Sequence, residues 1–201
     1  MKRNALFLAL FFCMAATLHA QEKKPAIQAF GGTPDERAST RIGYWDPAKK
    51  AVVGEFAIDY GRPVWKAEYE DAAKFDAMTK GKLWRFGSNF WTVLDTNIPL
   101  KVSGVNVPVG AYYLGLHRSE DGATWSLAFL DPAKVRGARL DAFAANQAAI
   151  AFKAPIKMEQ AGEVAEKLTV TMAASKENPY DVTLKISWGK MQLTAPVQAS
   201  L

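Results

Sequence analysis

Alternation with a period of two is the feature that most constrains this chain. Val182, Leu184, Ile186 and Trp188 are separated by Thr183, Lys185 and Ser187; Leu168, Val170 and Met172 are separated by Thr169 and Thr171. Successive strand residues point to opposite faces, so each run presents one apolar and one polar face. Val52, Phe56, Ile58 and Tyr60 against Glu55 and Asp59 repeat the pattern. Further strands are expected over 41–45, 84–95, 100–102, 105–109, 112–117, 125–130 and 191–197, parted by turn signals. Those signals are Asp46-Pro47, Gly61-Arg62-Pro63, Ser103-Gly104, Glu120-Asp121-Gly122, Asn178-Pro179 and Gly189-Lys190. Asp-Pro-Ala-Lys occurs twice, at 46–49 and 131–134, and both copies read as turn chemistry. Residues 68–79 have helical spacing and stop before Gly81, and the alanine-rich stretch 133–149 suggests a second short helix. The expected fold is mainly β: a single antiparallel β-sandwich domain with one or two short helices. A barrel closed around a ligand would show the same alternation.

The N-terminus reads as an export signal. Lys2 and Arg3 precede an apolar run over 5–18, and Ala20 offers a small residue for cleavage before Gln21-Glu22-Lys23-Lys24. Residues 1–20 are therefore expected to be a signal peptide, with a periplasmic or extracellular product and no membrane span after cleavage. Residues 21–37 are polar, carry Gly31-Gly32 and Pro34, and read as a flexible lead-in to a domain over 38–201. Cleavage would remove Cys13, the only cysteine, and His19, leaving His117. The formal charge of +5 would fall to +3, since residues 1–20 hold two basic and no acidic side chains. So mild a charge, without a Lys/Arg run, argues against nucleic acid.

Little in the sequence points to catalysis. With no cysteine and one histidine left after the expected cleavage, neither a metal site nor a cofactor is expected, and no phosphate loop, nucleophile elbow or His-Glu-x-x-His is present. His117 on a strand reads as an ordinary surface histidine. Asp59 and Asp95 could form a carboxylate pair for glycoside hydrolysis, or serve as solvated strand residues and partners for Arg62 and Arg85. The richest stretch is 81–116, where Arg85 and Asn89 alternate with Trp84, Phe86 and Trp91, and Arg62 and Trp65 stand just before it. Arginine can clamp a carboxylate or phosphate, and flat aromatics can carry a sugar. Arg62, Trp65, Arg85, Asn89 and Trp91 are thus the candidate ligand residues, for a carbohydrate or an anionic small molecule.

Three motifs occur in order: Tyr60-Gly61-Arg62-Pro63, Trp84-Arg85-Phe86-Gly87-Ser88-Asn89, and Gly104-Val105-Asn106-Val107-Pro108-Val109-Gly110-Ala111-Tyr112. Together they resemble the secreted bacterial family called domain of unknown function 2911, over most of residues 38–197. Members typically continue the first motif with Lys-Gly-Arg, where this chain has Trp65-Lys66-Ala67. The resemblance implies a secreted, mostly β domain and carries no activity. The resulting expectation is a non-catalytic binding or accessory module of the cell envelope. The alternatives are a carboxylate-dependent hydrolase and a protein-interaction module without a small ligand.

Overall fold

The computed structural model describes Gly32 and residues 35–201. The expected signal peptide and most of the lead-in lie outside the described residues. Asp46 starts the first hairpin: its carboxylate accepts hydrogen bonds from the backbone of Ala48 (2.8 Å) and Lys49 (3.1 Å). That turn joins β1 (Arg37–Asp46) to β2 (Ala51–Gly61). The same tetrapeptide at 131–134 does something else. Asp131 accepts from Ala133 N as an N-cap, and Pro132, which has no N–H to leave unpaired, opens helix α2 (Pro132–Gly137).

The remaining strands are β3 (Leu83–Arg85), β4 (Thr92–Thr96), β5 (Leu100–Val102), β6 (Val105–Val107), β7 (Gly110–Arg118), β8 (Trp125–Leu130), β9 (Phe152–Ala174) and β10 (Asp181–Ala199). They pair antiparallel in the order β1-β2-β4-β7-β8-β9-β10-β5-β6, with β3 also on β7. The long strand β9 belongs to both layers. Residues 152–156 pair with β8, and residues 157–174 with β10. The sheet thereby folds over itself into a two-layer sandwich. Phe56, Ile58, Leu94, Leu114, Leu127 and Phe129 of one layer meet Leu100, Val102, Met172, Leu184 and Val197 of the other.

One side of the sandwich is shut by a seam. Trp65 N donates to Glu166 O (2.7 Å) and Leu168 N donates to Pro63 O (3.0 Å). Trp188 Nε1 also donates to Pro63 O (2.8 Å), and Tyr60 Oη accepts from Val170 N (2.9 Å). These bonds satisfy backbone groups that an open edge would leave bare.

The first layer is buried on part of its outer face too, over β3 and β8. Leu83, Trp91, Ala128 and Leu130 pack beneath Val135 of α2 and beneath Ala142, Ala145 and Ala148, in and just after a 3-10 turn (Ala142–Gln147). Burial on both faces explains why β8 reads Trp-Ser-Leu-Ala-Phe-Leu without clean alternation.

Several elements differ from the sequence-based expectation. Residues 68–79 form a 3-10 turn (Ala67–Glu70) and helix α1 (Ala72–Thr79), divided by Asp71, whose carboxylate caps α1 through Ala73 N and Lys74 N. The strand expected over 84–95 is interrupted by the loop 86–91. Gly189-Lys190 is not a turn between two strands but lies inside β10, opposite a bulged stretch of β9. Ser187 and Met191 are four residues apart, whereas their partners Thr169 and Gln160 are nine apart. The first half of β9 was not expected as strand. Pro155 and a run of charges hide it, and Pro155 is tolerated because that stretch pairs only with β8.

Arg118, at the end of β7, ties α1 to the body. Its guanidinium donates to Asp76 Oδ1 (2.6 Å), Thr79 Oγ1 (3.0 Å) and Gly122 O (2.9 Å). It also faces the rings of Phe75 and Trp125. Hydrogen bonds from Lys80 first and Arg118 second hold the Asp76 pKa below its ordinary value. A lowered carboxylate contributes stability above its unfolded pKa of about 3.9, and that contribution is lost as pH falls through the folded value. Arg118→Ala is expected to lower the melting temperature at neutral pH and to flatten the acid limb of the stability curve below about pH 4. Thermal melts of both proteins across pH check this.

Candidate functional site

The five candidate residues do not gather in one place. Arg62 turns toward β9, donating to Leu168 O and Thr169 Oγ1 (both 3.2 Å), with Glu36 at 3.9 Å. It fastens the seam. Asn89 has φ +61° and donates to Asp35 Oδ2 (2.6 Å), holding the loop 86–90 to the chain before β1. Trp91 is 9% exposed, stacks on Tyr113 (5.1 Å between centroids, planes 8° apart) and donates to Leu140 O (3.4 Å). Trp65 packs against Trp188 and Tyr69, with its indole N–H buried and unpartnered.

Arg85 stands apart from these. It closes β3, a three-residue strand paired with β7 at Leu83–His117, Trp84–Leu116 and Arg85–Gly115. Alternation sends Trp84 inward, where it stacks on Trp188 at 5.0 Å. Leu83 and Arg85 therefore face outward, toward the 3-10 turn at 142–147. There the guanidinium carbon lies 4.0 Å from the centre of the Phe143 ring. Phe143 is 68% exposed, although it is a large apolar side chain. Lys82, Arg85, Phe143 and Asn146 line a pocket of about 290 Å³, with Met78 on its rim.

The electrostatics of this pocket are unbalanced. Among the described residues the Arg85 side chain has no hydrogen-bond or ion-pair partner, and its Nη1 is fully buried. Burial lowers the Arg85 pKa, with Tyr69 and then Asp141 opposing the shift. Asp141, an acid near enough to matter, is committed elsewhere: its carboxylate caps the 3-10 turn through Phe143 N (2.9 Å) and Ala144 N (3.1 Å). Lys82 donates to Ala77 O. A guanidinium desolvated without a counter-charge is costly, and an arriving carboxylate or phosphate supplies the missing partner.

Phe143, Asn146 and Lys82 were not singled out from sequence. An isolated phenylalanine beside Asn146 in an alanine-rich stretch was the available signal. It carries no period, and residues 82 and 143 are far apart in the chain.

The carboxylate alternative has a different geometry. Ala57 pairs with Asp95 and Asp59 with Val93, so Asp59 and Asp95 are diagonal neighbours on one face of β2–β4. Asp59 is held by Arg37, whose Nε donates to Oδ1 at 2.7 Å, and not by Arg62 or Arg85. Asp95 lines a small pocket of about 60 Å³ with Arg41, Glu55 and Asn97. His117 lies in the β7 ladder between Leu83 and Ser126, and burial first, then Lys153, lowers its pKa. No cluster of three or more His, Cys, Asp or Glu occurs among the described residues, and none of their helices is long and apolar enough to cross a membrane.

The first two ordered motifs meet in space as backbone contacts. A Cβ on Gly61 would lie 2.2 Å from Ser88 O, and one on Gly87 would lie 3.1 Å from Gly61 O. Phe86 is fully buried, and its carbonyl accepts from Thr92 Oγ1. Ser103 (φ +46°) and Gly104 (φ +84°) form the two-residue turn between β5 and β6.

A family described as protein of unknown function (DUF2911) matches residues 47–197. No curated protein and no solved structure matches the chain.

Proposed function

The chain belongs to the DUF2911 family of proteins of unknown function, and from that premise we propose that it is an exported, non-catalytic module binding an anionic small molecule at Arg85. The observation that carries this reading is the half-buried Arg85 guanidinium, which has no hydrogen-bond or ion-pair partner among the described residues and belongs to a residue lining a pocket with the exposed Phe143 ring. A carboxylate or phosphate would pair with the guanidinium, Lys82 would add positive charge, and the Asn146 amide offers both donor and acceptor. Phe143 would cover the organic part of the ligand. Export is supported by the basic start, apolar run and small residue at Ala20.

The test is the melting temperature of the purified full chain against citrate, succinate, inorganic phosphate, glucose 6-phosphate and a uronic acid. A ligand at one hundred times its dissociation constant stabilises by about 2.7 kcal/mol. In a domain of this size that is a shift of roughly 5–10 °C. An upward shift with at least one of these anions, absent with glucose, is the expected result. A panel without any shift would overturn the assignment.

A further inference from the structure

We propose that a second groove, bounded by the 67–70 turn, α1 and the β9–β10 bulge, binds a neutral saccharide. It has a volume of about 410 Å³ and is lined by Trp65, Tyr69, Phe75, Met158, Gln160 and Met191, with Glu70, Glu159 and Lys190 at its margin. Its aromatic wall is fixed. Trp65 stands edge-on to Trp188 (5.0 Å, 86°) and to Tyr69 (5.3 Å, 70°), and lies against the backbone of Gly189. The five additional residues of β9 opposite Gly189 interrupt the ladder here, and the groove lies beside that irregularity, lined by Gln160 of β9 and Met191 of β10.

The chemistry of the groove selects the ligand class. Its charges are already neutralised: Lys190 Nζ is 3.0 Å from Glu70 Oε2, and Lys157 Nζ is 2.7 Å from Glu159 Oε1. An anion would meet two carboxylates, and a cation would have to displace a lysine from one of them. A saturated hydrocarbon would cover Glu70, Glu159, Gln160 and Lys190 without offering any of them a hydrogen bond. A sugar meets all these conditions. Its C–H faces can lie on the aromatic wall, and its hydroxyls can accept from Lys190 and donate to the carboxylates and the Gln160 amide oxygen. Glu70 is held below its ordinary pKa by its hydrogen bond from Lys190 first and by the lysine charge second; the nearby indole contributes last and lies outside hydrogen-bond geometry.

The experiment titrates maltotriose, cellotriose and tri-N-acetylchitotriose into the full chain, followed by calorimetry and tryptophan fluorescence. Met158 is 50% exposed, so Met158→Arg fills the groove without entering the core. At least one trisaccharide is expected to bind and to perturb the fluorescence. Met158→Arg should weaken that binding about tenfold or more at an unchanged melting temperature, while Arg85→Met leaves it intact. Three observations would each overturn the proposal. They are no response to any of the three sugars at about 10 mM, full binding by Met158→Arg, and loss of sugar binding in Arg85→Met.

Discussion

Gly189→Ala is expected to destabilise the fold by about 2–5 kcal/mol, which lowers the melting temperature by roughly 5–15 °C. Two independent penalties add. Gly189 has φ +60°, a left-handed conformation that costs an L-residue about 1–2 kcal/mol. A Cβ there would also lie 2.2 Å from Trp65 Cδ2 and 2.4 Å from Cε2, far inside contact distance. Trp65 can yield only by giving up its packing on Trp188, Tyr69 and Phe75. Forcing atoms into such a packed site costs about 1–3 kcal/mol more. Thermal or urea melts measure the total. A variant within about 0.5 kcal/mol of the parent would show that the bulge relaxes freely.

Gly61→Ala is expected to cost about 2–4 kcal/mol for a different reason. No unusual φ is involved. The obstacle is the Ser88 carbonyl, 2.2 Å from the new Cβ, with the Ser88 carbonyl carbon at 3.0 Å. Backbone cannot swing aside as a side chain can. The loop 86–90 would have to move, taking with it the buried Phe86 and the Asn89–Asp35 bond. Amide exchange should quicken in this loop and at the end of β2 in the variant. Unchanged exchange with unchanged stability would remove the clasp from the account.

That clasp explains what could be read from the sequence and what could not. The alternating runs in β2, β9 and β10 declared themselves because one face of each meets the shared core. β8 was legible over 125–130 despite its broken alternation, but the start of β9 was not. β8 is buried on both faces, and the β9 stretch carries Pro155 among charged neighbours. Gly189 followed by Lys190 reads as a turn because a left-handed glycine serves a turn and an irregular strand pairing equally well. The ordered motifs identified the family, but much of what they encode is backbone proximity: Gly61 against Ser88, and Gly87 against Gly61. Within one of those motifs, Arg85 was legible as a ligand candidate. Its surroundings were not, since Phe143 and Asn146 arrive from the 3-10 turn in an aperiodic segment. Nor could spacing reveal that Arg62 would spend its donors on β9 while Arg85 would keep its own free.

The central claim is that Arg85 is held ready for a ligand and does not hold the fold together. It is tested most directly by melting the parent and Arg85→Met side by side, with and without the anion that gives the largest shift. Methionine keeps the apolar stem over Phe143 and removes the unpaired charge. It loses a cation–π contact of about 0.5–1 kcal/mol and is relieved of the desolvated cation. The account predicts that unliganded Arg85→Met melts at or above the parent's temperature and shows no shift with the anion. An Arg85→Met protein that melts well below the parent yet keeps the full anion shift would contradict it.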